Sequence, residues 1–216
     1  MVNLLIFGPP GSGKGTLADK FSSRYGIIHI STGDIFREHL KKKDSLGLKI
    51  SSLSDGGLVP DELTNEVVKD RLSQQDAKDG FILDGFPRTI NQALFLEKLL
   101  TIDGVIFVDL SDEKIIDRIS HRRVCPSCGK IYNLLFNKPI KEGFCDVCGH
   151  ELILRDDDKP SVVKNRLEVY QRETFPIMKL FEKQKIPLIH IKGDYDLKTE
   201  LENVLSRISS WIESNS

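Results

Sequence analysis

Five short apolar runs punctuate the chain: Val2–Phe7, Ile27–Ile30, Phe81–Leu83, Val105–Val108 and Leu188–Ile191. Each reads as a strand buried in a parallel sheet. Between them the apolar spacing becomes helical. Val163, Leu167, Tyr170, Ile177 and Phe181 fall near i, i+4, i+7 positions, with Lys, Arg and Glu on the opposite face. Pro176 inside that stripe predicts a kink or a local break, because it has no N–H to donate. A last helix is predicted from about Leu197 to Trp211, with Leu197, Leu201, Val204, Leu205 and Ile208 as its stripe. Strands alternating with helices predict an α/β fold: an open parallel five-stranded sheet flanked by helices, with ligands at the strands' carboxyl ends.

Two stretches break the alternation. Residues 31–59 are polar and helical-looking, whereas residues 122–158 hold cysteines and aromatics without a helical stripe. Structureless loops of this length are uncommon in compact domains, so each predicts a small inserted subdomain on the ligand side of the sheet. Residues 1–30, 60–121 and 159–216 then form the core domain.

The first strand leads directly into chemistry. Gly8-Pro9-Pro10-Gly11-Ser12-Gly13-Lys14-Gly15-Thr16 is a glycine-rich turn ending in a lysine that opens a helix. Such a turn aims successive backbone N–H groups at a phosphate, the helix start adds partial positive charge, and Lys14 reaches the outer phosphates. The hydroxyl residue that usually follows the lysine is Gly15 here, with Thr16 one place later. Glycine has no oxygen to give a metal, so Mg2+ falls to phosphates, water and a nearby carboxylate. Asp84, closing the third apolar run, is the candidate; a turn cap is the other role open to it.

Charge and length narrow the class. The 216 residues carry 31 basic and 32 acidic side chains, a net charge of −1, so no global field favours nucleic acid or an anionic membrane. No basic N-terminal region precedes a long apolar run, and none approaches the ~20 residues that span a bilayer. The expectation is a cytoplasmic protein. The cysteines read Cys125-x-x-Cys128, 16 residues, then Cys145-x-x-Cys148, with Gly129 and Gly149 after the two pairs. That is the spacing of a closed, structural four-thiolate zinc site; iron takes the same ligands. His150 adjoins the last pair and reads as a surface residue. A zinc ribbon for nucleic acid is the competing use, but acidic residues match basic ones in number through this segment.

At this point the motifs combine. Gly8–Thr16, Ser31-Thr32-Gly33-Asp34 with Arg37, Asp84-Gly85-Phe86-Pro87-Arg88-Thr89, and Asp117-Arg118 with Arg122-Arg123 stand in the order and separations of adenylate kinases. The chain resembles that family over essentially its whole length, and residues 122–158 resemble the lid of its long-form bacterial members. The resemblance implies a P-loop kinase transferring the γ-phosphoryl of Mg-ATP to AMP and giving two ADP, as a monomer. It implies an AMP-binding subdomain at 31–59 and a zinc-binding lid at 122–158. On the ATP side it implies Gly11, Ser12, Gly13, Lys14, Gly15, Thr16, Arg122, Tyr132, Asn133 and Tyr195. On the AMP side it implies Thr32, Arg37, Gly57, Leu58, Val59, Gly85, Phe86, Pro87, Arg88 and Gln92, whose amide bonds a base edge in both directions. Arg118, Arg155 and Arg166 would converge on the phosphoryl groups, joining Lys14, Arg88 and Asp84 as the catalytic set, with Arg155 and Arg166 also on the AMP side; Arg123, adjacent to Arg122, would point a different way. Asp156-Asp157-Asp158 either caps the following helix or pairs with lid arginines. The same chemistry with UMP, CMP or GMP as acceptor is the nearest alternative, and the long metal-type lid favours AMP.

Overall fold

A computed structural model describes residues 2–51, 57–194 and 201–215. The five apolar runs become β1 (Asn3–Phe7), β2 (Ile28–Ser31), β3 (Phe81–Asp84), β4 (Gly104–Asp109) and, after a hairpin of β5 (Arg122–Val124) and β6 (Ile131–Asn133), β7 (Leu188–Lys192). The main sheet has the order β2-β3-β1-β4-β7. Its pairings are all parallel, with Leu5 of β1 opposite Leu83 on one side and Val105 on the other. Successive strands lie on both sides of β1, so its carboxyl end is the switch point where an open sheet leaves a crevice.

Side chains alternate along these apolar strands and supply two cores. Leu5, Phe7, Ile30, Leu83, Val105 and Phe107 face Phe86, Ala93, Leu96, Ile177, Met178 and Phe181. Leu4, Ile6, Ile82, Ile106, Val108 and Ile191 face Leu17, Ala18, Phe21, Val204, Leu205 and Ile208. The first set lies under α4 (Asp61–Ser73), α5 (Ile90–Leu99) and α8 (Ile177–Lys183); the second lies under α1 (Lys14–Tyr25) and α9 (Leu201–Asn215). Burial on both faces is why the strands read as continuous apolar runs.

The predicted break at Pro176 is present and begins upstream of it. α7 (Pro160–Val169) passes into a π-helical turn at Tyr170–Thr174, closed by Phe175 N–H donating to the Tyr170 carbonyl at 2.9 Å, before α8 resumes. The predicted first turn of the last helix, from Leu197, lies outside the described residues; the described part of α9 begins at Leu201.

Two excursions stand above the carboxyl edge. α2 (Thr32–Lys42) and α3 (Ser45–Ser51) follow β2; α6 (Asp112–Ser120) leads from β4 into the β5–β6 hairpin. Ser31 caps α2 by accepting from the Asp34 N–H at 3.2 Å, which fixes where the chain leaves the sheet. The excursions touch: Lys41 Nζ donates to the Pro126 carbonyl at 2.9 Å.

Candidate functional site

The glycine-rich turn leaves β1 at Phe7 and enters α1 at Lys14. Gly8 has φ +144°, and a Cβ there would lie 2.2 Å from the Val108 carbonyl oxygen, so no side chain fits. Lys14 curls back and donates to the Pro9 carbonyl at 2.8 Å. Burial pushes its ammonium down, Asp84 pulls it up, and Arg88, Arg166 and Arg122 push it down again, to about 8. Ser12 is buried, and its hydroxyl has no hydrogen-bond partner among the described residues. The Gly15 Cα faces Asp84; a Cβ there would sit 3.5 Å from Asp84 Oδ2.

Asp84 ends β3 beside this turn. Burial raises its carboxyl, but His29, Lys14 and Arg88 hold it below the usual carboxylate range. His29 Nδ1 lies 2.6 Å from Asp19, and its Nε2 lies 3.8 Å from Asp84 Oδ2, too far for a hydrogen bond and close enough for a charge pair. Burial works against the imidazolium, yet the two carboxylates raise it to about 9. An Mg2+ carried by nucleotide phosphates would find the carboxylate of Asp84 here, facing a Gly15 that has no oxygen to give.

Across the crevice, Thr32 donates to the Asp84 carbonyl at 3.3 Å. Arg88 Nε donates to the Gly85 carbonyl at 2.8 Å, after a cis Phe86–Pro87 peptide. A cavity of about 50 Å³, lined by Phe36, Gly57, Leu58, Val59, Thr64, Gly85, Arg88 and Gln92, opens beside Arg88 and is too small for a purine as it stands. A larger cleft of about 330 Å³, lined by Ile140, Lys141, Phe144 and Asp146, includes none of the crevice residues.

Arginines close the crevice from three elements. Arg122 Nε donates to Asp158 Oδ2 at 2.7 Å, and its NH2 pairs with Asp158 Oδ1. Arg166 NH1 lies 3.1 Å from Asp157 and 3.4 Å from Asp158. Arg37 donates to Asp34 at 2.6 Å and reaches Asp157 at 4.0 Å. Burial and then the neighbouring Arg166 bring Arg88 down to about 10; burial, Arg37 and Arg122 do the same to Arg155. Asp156 sits outside at Lys159, and no side chain caps α7. Asp157 and Asp158 are therefore arginine partners.

Other positions differ in setting. Arg118 NH1 donates to the Ser12 carbonyl at 3.3 Å, while its guanidinium lies 5.5 Å from the centre of the Phe136 ring. Arg123 turns to the Ser120 and Arg122 carbonyls, away from the other arginines. Tyr132 is 2% exposed, its hydroxyl accepting from the Asp146 N–H at 2.8 Å, so its ring belongs to the small core it shares with Cys125, Cys145 and Leu152. Asn133 is buried and staples the hairpin, donating to the Arg118 carbonyl and accepting from the Leu135 N–H. Tyr195 lies outside the described residues. Sequence reasoning passed over Phe136, an exposed aromatic without periodicity, along with Asp61 and His29.

The four cysteines bring their sulfurs within 4.8 Å of one another. Cys125 and Cys148 Sγ are 3.3 Å apart, and Cys128 and Cys145 Sγ are 3.5 Å apart. Tetrahedral zinc with Zn–S of about 2.3 Å needs sulfurs about 3.8 Å apart, so the set fits a four-thiolate ion. The two knuckles repeat one geometry, with Gly129 N–H on the Cys125 carbonyl and Gly149 N–H on the Cys145 carbonyl. His150 is exposed and bonds the Cys148 carbonyl.

A phosphate turn at the switch point, a buried lysine and a cage of arginines, beside four cysteines placed to take a metal ion, define a P-loop phosphotransferase. Comparison with known proteins narrows the class. The family model for adenylate kinase matches residues 6–186. The chain is 48% identical over 213 residues to the adenylate kinase of Caldicellulosiruptor saccharolyticus, covering 96% of this chain and 99% of the relative. It is 46% identical over 213 residues to that of Thermosipho africanus, with the same coverage. With the enzyme of Clostridium novyi it shares 46% over 220 residues, covering 99% of this chain and all of the relative. The chain belongs to the adenylate kinase family, whose members phosphorylate AMP with Mg-ATP to give two ADP.

Proposed function

We propose that this reaction takes place between the phosphate turn and the Arg88 cavity, with the side chains divided as follows. Gly11–Thr16 enclose the ATP phosphates, and Arg122 closes over them from the lid. Arg118 and Phe136 offer a planar cation and a ring against which the ATP base stacks. Thr32, Arg37, Leu58, Val59, Arg88 and Gln92 hold AMP, with Arg37 and Arg88 forked onto its phosphate. An AMP phosphate oxygen attacks the γ-phosphorus, the bond from that phosphorus to the β,γ-bridging oxygen breaks, and both products leave as ADP. No side chain acts as nucleophile; Lys14, Arg88, Arg155 and Arg166 neutralise charge building on the transferred group. Mg2+ bound with ATP supplies further neutralisation, and Asp84 is the carboxylate positioned to meet its hydration shell. The supporting observation is that burial, with Arg88, Arg166 and Arg122 close by, pushes the Lys14 ammonium down, and that burial and Arg166 do the same to Arg88.

The chain divides on this reading into a core of 1–30, 60–121 and 159–216, an AMP-binding insertion at 31–59 and a lid at 122–158. The insertions must close to keep water from the γ-phosphate. One chain supplies both nucleotide sites, which supports action as a monomer. Four thiolates in one cluster suit a reducing cytoplasm.

The test offers purified protein Mg-ATP with AMP, CMP, UMP, GMP or no acceptor and follows ADP. Strong preference for AMP with negligible acceptor-free hydrolysis is expected; robust hydrolysis without acceptor overturns the assignment.

A further inference from the structure

We propose that Asp61, outside every motif described above, sets the acceptor base by locking the orientation of the Gln92 amide. The inference rests on the reading that Gln92 faces the AMP base. Asp61 is the first residue of α4, and both its oxygens are engaged by the start of α5. Oδ2 accepts from the Thr89 hydroxyl at 2.9 Å, and Oδ1 accepts from Gln92 Nε2 at 2.7 Å. On the other side of the same amide, Gln92 Oε1 accepts from the Arg88 backbone N–H at 2.7 Å.

The partners dictate which end is which. A carboxylate only accepts and a backbone N–H only donates, so nitrogen must face Asp61 and oxygen must face Arg88. Reversal would set the amide oxygen against a carboxylate and the amide nitrogen against an N–H. Gln92 is 2% exposed, so water does not soften that conflict.

A primary amide has two N–H donors and two acceptor lone pairs. One of each is spent on Asp61 and Arg88, which leaves one donor and one acceptor toward the cavity that Gln92 lines with Leu58 and Val59. Adenine presents a complementary edge, a ring nitrogen that accepts beside an amino group that donates. Guanine presents the opposite edge, an oxygen that accepts beside a ring N–H that donates. Gln92 could serve guanine only by turning over, and Asp61 opposes the turn. Adenine over guanine is thus fixed by a carboxylate that need not touch the base.

The experiment measures kcat/KM for AMP and GMP, at saturating Mg-ATP, in wild type, Asp61→Asn, Asp61→Ala, Thr89→Val and Gln92→Leu. Either Asp61 variant is expected to lower the AMP:GMP ratio about tenfold, the worth of one hydrogen bond to a charged group, through a higher KM for AMP and better use of GMP. The KM for ATP stays unchanged. Thr89→Val removes the other Asp61 partner and the α5 cap, so it lowers the melting temperature and leaves the ratio alone. Equal loss with AMP and GMP in the Asp61 variants overturns the lock and reduces Asp61 to a structural residue. Gln92→Leu separates the two layers. If it leaves the KM for AMP and the ratio untouched, Gln92 does not read the base and the lock falls with that assignment. If it abolishes the ratio while both Asp61 variants keep it, the lock alone is refuted.

Discussion

Lys14 makes nucleotide affinity depend on pH in a window where the nucleotide itself does not titrate. Burial, together with Arg88, Arg166 and Arg122, brings the lysine to about 8, against an ordinary 10.5. Phosphates arriving beside it favour the charged form, so above pH 8 binding must be accompanied by proton uptake. With a value of about 8, the charged fraction is about 0.8 at pH 7.5 and about 0.03 at pH 9.5. Affinity should therefore weaken about 25-fold over that interval, which is about 2 kcal/mol, and proton uptake per nucleotide bound should approach one near pH 9.5. Isothermal titration calorimetry with Mg-ADP in buffers of different ionisation enthalpy measures both quantities. His29, at about 9, titrates in the same window, so Lys14→Met is measured alongside. That variant should bind more weakly at pH 7.5, lose most of the pH slope and turn over at least ~10²-fold more slowly. An affinity that is flat from pH 7.5 to 9.5 in wild type, or an equal slope in Lys14→Met, refutes the reasoning.

Two further outcomes are expected. His29 is raised to about 9 from 6.5, so its stabilising pairs with Asp19 and Asp84 are fully present below pH 6.5 and are lost as pH rises through 9. Denaturation of wild type against His29→Gln should show a stability difference shrinking by up to about 3 kcal/mol between pH 6.5 and 9.5, and a constant difference refutes it. Elemental analysis should find about one zinc per chain, and chelation should lower the melting temperature more than it weakens nucleotide binding. Metal-free protein with an unchanged melting temperature refutes a structural role for the ion.

What the sequence made legible follows from what a strand or motif needs locally. The five sheet strands stood out because burial on both faces leaves an apolar run, and each was placed within a residue or so of its observed ends. Lys14 and the cysteines stood out because loop geometry and metal ligation fix spacing along the chain. The β5–β6 hairpin did not, since strands of three residues carry no periodicity and lean on the thiolate cluster beside them. The π-turn was half legible. Pro176 announced a break, but the register shift starts at Tyr170, where the hydrogen bond skips to Phe175. Side-chain partners were the least legible. Tyr132 matches a nucleotide-contact position, yet its hydroxyl holds the second cysteine knuckle through Asp146. Asp157 and Asp158 stood open between capping and pairing until three-dimensional neighbours decided it.

Those two aspartates bear on how closure and ligand are coupled. Among the described residues around the crevice, the cations Lys14, Arg37, Arg88, Arg118, Arg122, Arg155 and Arg166 outnumber the carboxylates Asp34, Asp84, Asp157 and Asp158. A buried guanidinium without an anion costs several kcal/mol, so a cage of arginines alone would hold the lid and insertion apart. Asp157 and Asp158, reached from Arg37, Arg122 and Arg166, offset part of that cost where the two excursions meet at Lys41 and Pro126. They are too few to satisfy the cage, and burial, reinforced by neighbouring arginines, depresses Lys14, Arg88, Arg155 and Arg166. Two nucleotides, on the proposed reading, bring the missing negative charge to the point where those groups converge. Phosphate binding then relieves the repulsion and favours closure through one interaction, so the site seals against water most firmly when both the phosphoryl group and its acceptor are inside.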